Sequence, residues 1–290
     1  MQYRFLRFPG NRFKAVTLSY DDGRRDDLRL SEMIEKYGMK ATFNINSGLI
    51  APTTEGPYLT KAEIRQLLKG GHEIAVHGDL HRANGLVSPL DGIRDVLDCR
   101  LKLEREFDCL VRGMAYPDSG VGRFADGVDY NKVKSYLTDL GIVYARTTRG
   151  DEDFMLPADW HAWAPTAHHA HPQLSELVDR FLNIREKECY CSSLYPRLFY
   201  LWGHSFEFGR ADNWELLETF CQAMAGHEDI WFATNMEIYA YVNAYRSLVF
   251  SADGSMVYNP TLMPVWFCAD GKSCCVNVGE TLRFDENGRC

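Results

Sequence analysis

The sequence predicts an α/β protein built around a parallel sheet that curls into a distorted barrel. Apolar runs typical of strands alternate with amphipathic stretches typical of helices, and short connections join them. That order favours parallel strands with right-handed crossovers. Polar residues able to do chemistry follow several of the strands, as expected where ligands bind at the carboxyl edge of a sheet. With 290 residues, 46% of them hydrophobic, the chain can form one large domain.

The strands and helices follow one another in regular order over most of the chain. Strands are predicted at 15–20, 41–46, 72–76, 114–116, 142–145, 198–202 and 230–233. Helices are predicted at 27–37, 60–68, 93–107, 133–140, 174–188, 214–224 and 235–245. The helix at 60–68 opens with a capping box, in which Thr60 is the cap and Glu63 reaches back to it. Asn235 is the predicted cap of the last helix.

Two segments break this rhythm. Residues 151–172 contain Trp160, Trp163 and four histidines, and we interpret them as a long connection lying over a site. Beyond residue 246 the chain changes to short apolar runs separated by Asp-Gly and Asn-Gly turns, which predict a small antiparallel β unit. The predicted organisation is therefore a barrel domain, 1–246, followed by a β-rich extension, 247–290.

Composition excludes several classes of partner. The net charge is −8 and lysine and arginine do not cluster, which argues against nucleic acid or an anionic membrane as partner. The first twenty residues hold no apolar core of a secretory leader, and no later run reaches the length of a membrane span. Nine scattered cysteines form no disulfide or zinc spacing. The sequence thus predicts reduced thiols in a cytoplasmic protein; homo-oligomerisation is left open.

The first strand ends abruptly at two carboxylates and a glycine, Asp21, Asp22 and Gly23. Adjacent side chains on a regular strand point to opposite faces, so the two carboxylates share a site only if the chain bends there. Gly23 permits that bend. One aspartate could then bind a cation while its neighbour acts as a base. The alternative is a solvated turn, because Asp-Gly is a common turn dipeptide.

Two further strands also end in imidazoles. His77 follows the third strand, and His81 lies four residues later, so both share a face if the chain coils there. Two imidazoles and a carboxylate form a ligand set with open positions, as catalytic zinc requires. His204 ends the strand at 198–202, where it could protonate a leaving group or be a structural histidine.

These motifs resemble those of the NodB-homology polysaccharide deacetylases, carbohydrate esterase family 4. The stretch 19–23 resembles the family motif T-F-D-D-G, and His77 and His81 match H-[ST]-x-x-H, with Gly78 in place of Ser or Thr. The resemblance implies a NodB-like, distorted (β/α)7-type barrel. It implies that Asp21 is the general base and that Asp22, His77 and His81 bind a divalent metal. We name zinc, with cobalt or nickel as substitutes.

Three later motifs of the family have weaker counterparts. Leu201 and His204 resemble the motif L-x-H with one extra residue, and the resemblance implies that His204 is the general acid. Arg112 stands before Pro117 as the family arginine that would orient the base. The backbone N–H of Asp118 would then be the oxyanion donor.

The fourth motif of the family, a D-W pair, is similar to Asp159-Trp160. Trp160, Trp163 and Trp202 could stack on the faces of a sugar, or pack in the core. Glu207 could keep His204 charged, or be a surface carboxylate.

The function implied by the resemblance is removal of N- or O-linked acetyl groups from a sugar or oligosaccharide, by metal-activated water with an aspartate base and a histidine acid. One alternative is a metal-independent hydrolase of cyclic amides or ureides from the same superfamily. Another is an inactive carbohydrate-binding relative, suggested by Gly78. A third possibility is a separate metal site formed by His161, His168, His169 and His171.

Overall fold

The computed structural model describes residues 3–185 and 194–284, and its centre is a curled parallel sheet that forms a half-barrel. This confirms the predicted fold class. The strands of this sheet are β2 (Lys14–Asp21), β3 (Ala41–Ile45), β4 (Glu73–Val76), β5 (Gly113–Ala115), β6 (Tyr144–Arg146), β7 (Ala167–His168), β8 (Arg197–Gly203) and β9 (Ile230–Phe232). Their order is β6-β5-β4-β3-β2-β8-β7, and β9 pairs with β2.

Strand β2 is the central strand, and all eight of its residues are buried. It pairs with β8 along its length, from Lys14 opposite Arg197 to Tyr20 opposite Gly203. Its other edge is shared, because β9 pairs with residues 14–16 and β3 pairs with residues 18–21. All these pairings are parallel, so the carboxyl ends of the strands meet at one edge of the sheet.

Helices cover this sheet and connect its strands. They are α1 (Asp26–Glu35), α2 (Lys61–Lys69), α3 (Pro89–Phe107), α4 (Tyr130–Asp139), α5 (Leu174–Asn183), α6 (Ser205–Ala211), α7 (Glu215–Met224) and α8 (Asn235–Arg246). The predicted capping box of Thr60 and Glu63 is present at α2. The cap of α8 is Thr234 rather than Asn235, because Thr234 and Glu237 form a second capping box. The prediction for α5 extended to residue 188, and its last residues lie outside the described part.

The segment 151–172 is more than a connection over the site. It includes β7, which pairs with β8 in the main sheet, and a short 3-10 helix at Trp160–Ala162. The main core lies between the sheet and its helices, and a second apolar cluster surrounds Trp160 and Trp163.

Small antiparallel sheets are present, as predicted for the C-terminal region. One contains β10 (Val249–Phe250), β11 (Met256–Tyr258) and β14 (Thr281–Arg283). The other contains β12 (Val265–Ala269) and β13 (Lys272–Val276), together with the N-terminal strand β1 (Arg4–Arg7). Strand β1 pairs with β12 from Arg4 opposite Ala269 to Arg7 opposite Trp266. Residues 247–290 therefore do not build this region alone.

One prediction from composition is wrong. Cys274 is disulfide-bonded, so the thiols are not all reduced, although Cys99, Cys109, Cys221 and Cys275 are free. The argument for a cytoplasmic protein loses this support. Among the described residues, no helix combines the length and apolar character needed to cross a membrane.

Candidate active site

A cavity of about 390 Å³ lies at the carboxyl edge of the parallel sheet. The residues that follow β2, β4 and β8 come together at this cavity, because the three strands all run toward the same edge of the sheet. The five residues predicted to carry the chemistry all line it, together with four others: Asp21, Asp22, His77, His81, Tyr116, Asp118, Thr148, Trp202 and His204.

Asp22, His77 and His81 form a compact group whose ligand atoms lie within 4.8 Å of one another. The Oδ1 atom of Asp22 is 3.5 Å from Nε2 of His77 and 3.3 Å from Nε2 of His81. Two ligands about 2.1 Å from a tetrahedral zinc lie about 3.4 Å apart, so this spacing suits such an ion.

The imidazole of His77 is oriented for a metal. Its Nδ1 lies 3.0 Å from the carbonyl oxygen of Ala115 and donates to it, which leaves the lone pair on Nε2. That Nε2 is buried and has no hydrogen-bond partner. Burial would raise the pKa of Asp22, but contacts with His77 and His81 outweigh it and hold the pKa well below its usual range. The residues present therefore fit a divalent cation.

Backbone conformation at the site is unusual. Asp22, His81 and Asp118 have φ angles of 79°, 56° and 50°, a region that non-glycine residues rarely occupy. At Asp22 this conformation supplies the bend that the sequence required, because Asp21 and Asp22 both face the cavity. Strain of this kind clusters at functional sites.

The loop after β4 is braced by Asp95 on α3. Its Oδ1 accepts a hydrogen bond from the backbone N–H of Leu80 at 2.8 Å, and its carbonyl oxygen accepts one from Asp79 at 3.1 Å. Gly78 has a φ of 76°, and a Cβ there would overlap Oδ2 of Asp95. The carboxylate of Asp95 therefore braces the loop at a position where Gly78 offers no side chain.

Asp21 is held by an arginine that the sequence analysis missed. Its Oδ2 forms an ion pair with Nη2 of Arg146, and its Oδ1 accepts a hydrogen bond from Asn44 at 2.8 Å. Arg146 is fully buried at the end of β6, and its guanidinium lies 4.2 Å from the ring centroid of Trp202. Its position at a strand end was the signal that could have identified it.

Arg112, predicted to orient Asp21, is an exposed residue that donates to the carbonyl oxygen of Gly141 at 3.3 Å. It precedes β5, so it lies at the amino end of that strand, at the edge opposite the site. The structure therefore contradicts this assignment. Pro117 is buried beside the cavity and directly precedes Asp118, which lines it.

The Asp159-Trp160 pair does not line the cavity. Asp159 accepts hydrogen bonds from Tyr130 and Lys134, both at 2.7 Å. Trp160 is 9% exposed and packs edge-on against Trp163 in the second apolar cluster. Both are structural here, which corrects their assignment to the substrate.

His204 follows β8 and uses Nδ1 to contact Oε1 of Glu207, 3.2 Å away. The other ring nitrogen is thereby left for the cavity. Burial alone would lower the pKa of His204, but the hydrogen bond to Glu207 and the charge of Asp21 outweigh it and raise the pKa above its usual value. The arrangement suits a general acid.

The fold and the site resemble those of the polysaccharide deacetylases. Residues 9–141 match the family model described as polysaccharide deacetylase. This confirms the resemblance seen in the motifs, and the family match supports a carbohydrate deacetylase enzyme. No curated protein matches the chain.

Solved structures agree with this fold. A proposed polysaccharide deacetylase from Mycobacterium smegmatis has a TM-score of 0.57 at 18% identity, over 83% of this chain and 94% of that chain. Puue allantoinase has a TM-score of 0.56 at 14% identity, over 80% and 91%. The Xyl-CE4 domain of a xylanase from the hindgut metagenome of Trinervitermes trinervoides has 0.52 at 15%, over 80% and 92%. At these identities the likeness concerns the fold alone.

Proposed function

We propose that this protein is a metal-dependent hydrolase that removes acetyl groups from a carbohydrate. The observation that carries the proposal is the convergence of Asp22, His77 and His81 at ligand spacing, with the spare carboxylate of Asp21 beside them. The Nε2 of His77 is 3.9 Å from Oδ2 of Asp21, so the base lies next to the ligand group. This arrangement supports hydrolysis by activated water.

A divalent cation held by Asp22, His77 and His81 would act as a Lewis acid on the acetyl carbonyl and lower the pKa of water. Two imidazoles and one carboxylate favour zinc, and cobalt or nickel suit the same donors.

The residues of the chain supply the proton transfers. Asp21 accepts a proton from the attacking water, while Arg146 and Asn44 fix its carboxylate. His204, held through Nδ1 by Glu207, donates a proton to the departing amine or hydroxyl. We expect the backbone N–H of Asp118, a residue that lines the cavity, to donate to the developing oxyanion. Acetate and the free sugar are the products.

The substrate proposed is an acetylated oligosaccharide rather than a single sugar. A second cavity of about 660 Å³ shares Tyr116 and Thr148 with the site, so the two are contiguous. The second cavity is lined by polar residues including Thr147, Arg149 and Asp151. Such a lining suits the hydroxyl groups of further sugar units.

The test is acetate release from acetylated chitooligosaccharides and xylooligosaccharides of increasing length. We expect activity in wild type, loss of about a hundredfold or more in Asp21→Asn, and loss of bound metal in His77→Asn. Full activity in Asp21→Asn would remove Asp21 from its role. Turnover of a cyclic amide or ureide that survives metal removal would instead support the superfamily alternative, with which the allantoinase-like fold is compatible.

A further inference from the structure

A second group of metal-binding side chains lies beside the proposed site. The ligand atoms of His168, His204 and Glu207 lie within 4.8 Å of one another. His168 comes from β7, His204 follows β8, and Glu207 belongs to α6. The pairing of β7 with β8 places His168 opposite Trp202, two residues before His204.

Distances within this group match those of the first one. Nε2 of His168 is 3.2 Å from Oε2 of Glu207, and Nδ1 of His204 is 3.2 Å from Oε1 of the same carboxylate. Ligands of a tetrahedral zinc lie about 3.4 Å apart. The side chains are 24–32% exposed, so an ion could enter.

The carboxylate of Glu207 lies among three imidazoles, those of His168, His169 and His204. Oε2 of Glu207 is buried and has no hydrogen-bond partner, although the Nε2 atoms of His168 and His169 are 3.2 and 3.1 Å away. Both nitrogens are close enough to form ion pairs with this carboxylate when the imidazoles are protonated. When the imidazoles are neutral, a shared cation would supply the positive charge that a buried carboxylate needs.

We propose that His168, His204 and Glu207 bind a second divalent cation. Two imidazoles and a carboxylate select a borderline ion such as Zn²⁺, Ni²⁺ or Cu²⁺ over Mg²⁺ or Ca²⁺. The ion would take the Nδ1 of His204, so a chain that holds it would lose the protonated imidazole that the proposed mechanism uses as the acid. This site is independent of whether the first group is catalytic.

The test counts bound zinc after equilibrium dialysis of the full chain, followed by elemental analysis. We expect two ions per chain in wild type, one in His168→Asn, one in His77→Asn and none in the double variant. His171→Asn is the matched control, because this nearby histidine contacts Glu152 and not Glu207; it should keep two ions.

The proposal would be overturned by a zinc count in His168→Asn that equals the wild-type count, whether wild type holds one ion or two. Loss in His77→Asn alone would show the first site without the second, so the two proposals fail separately. Cobalt absorption provides a second measurement, in which His168→Asn should remove about half of the visible bands at saturation. Circular dichroism of each variant shows whether it is folded.

Discussion

Replacing Arg146 by methionine tests how the proposed base is held. Its side chain is 0% exposed and that of Asp21 is 2% exposed, so neither charge is screened by solvent. Methionine fills similar space but leaves the carboxylate of Asp21 buried with one hydrogen bond, from Asn44. Breaking a buried pair by removing one partner costs about 3–5 kcal/mol. We expect Arg146→Met to lose that much of its free energy of unfolding.

A double-mutant cycle separates the pair from its surroundings. Asp21→Asn alone leaves a buried unpaired cation, whereas Asp21→Asn combined with Arg146→Met removes both charges. The double variant should therefore be less destabilised than the sum of the single variants, by about 2–3 kcal/mol. Urea unfolding at pH 7 and fixed zinc concentration measures all four proteins.

The control is Arg112→Met. This exposed arginine occupies the position suggested by the family motif, and its replacement should change stability by less than about 0.5 kcal/mol. We also expect kcat/KM to fall about a hundredfold in Arg146→Met and to change little in Arg112→Met. Two results would refute the proposed role of the ion pair. One is additive losses in the free energy of unfolding for Asp21→Asn and Arg146→Met. The other is a larger fall in kcat/KM for Arg112→Met than for Arg146→Met.

Three further predictions concern the loop, the acid and a buried carboxylate. Gly78→Ser restores the family motif but should cost about 1–3 kcal/mol in urea unfolding and reduce bound zinc, because the left-handed φ and Asp95 leave no room for a side chain. Glu207→Gln should lower the pKa of His204, since the carboxylate helps to raise it; the alkaline limb of the kcat profile then moves to lower pH, because the acid must be protonated. Burial raises the pKa of Glu73 from 4.5 to about 7, so the protonated form favours folding. Wild type should lose up to about 3 kcal/mol relative to Glu73→Gln as pH rises from 4.5 to 7.

Each of these predictions has a contrary outcome. Gly56→Ser is the control for the loop, because a Cβ there meets no atom within 4 Å; equal stability of Gly56→Ser and Gly78→Ser would contradict the role of Asp95. An alkaline limb that does not move in Glu207→Gln would show that His204 is not the acid. A stability difference between wild type and Glu73→Gln that is constant with pH would show that Glu73 is ionised in the folded protein.

The sequence was most informative where reactive polar side chains follow a predicted strand. Asp21, Asp22, His77, His81 and His204 each follow or end a predicted strand, and parallel pairing brings such positions to one edge. Their convergence in one cavity could therefore be predicted without knowing any contact. The same rule would have found Arg146, which ends β6, and rejected Arg112, which precedes β5.

Other features depend on packing that the sequence does not display. Asp95 reaches the loop of Gly78 only because α3 lies against β4, and the linear sequence gives no sign of that contact. The sequence alone allows Trp160 to stack on a sugar or to pack in the core. In the structure it packs against Trp163. The pairing of β1 with β12 joins residues more than 250 positions apart, beyond the reach of any local pattern.

That last pairing affects how the protein is made. During synthesis, residues 4–7 emerge first, and their partners at 266–269 emerge only after the whole barrel sequence has been translated. Domains fold as units while the ribosome is still working, so the barrel can assemble with its first strand still unpaired. A ribosome stalled with residues up to 250 outside its exit tunnel should therefore carry a folded sheet whose N-terminal segment is open to proteases, and release of the finished chain should protect it.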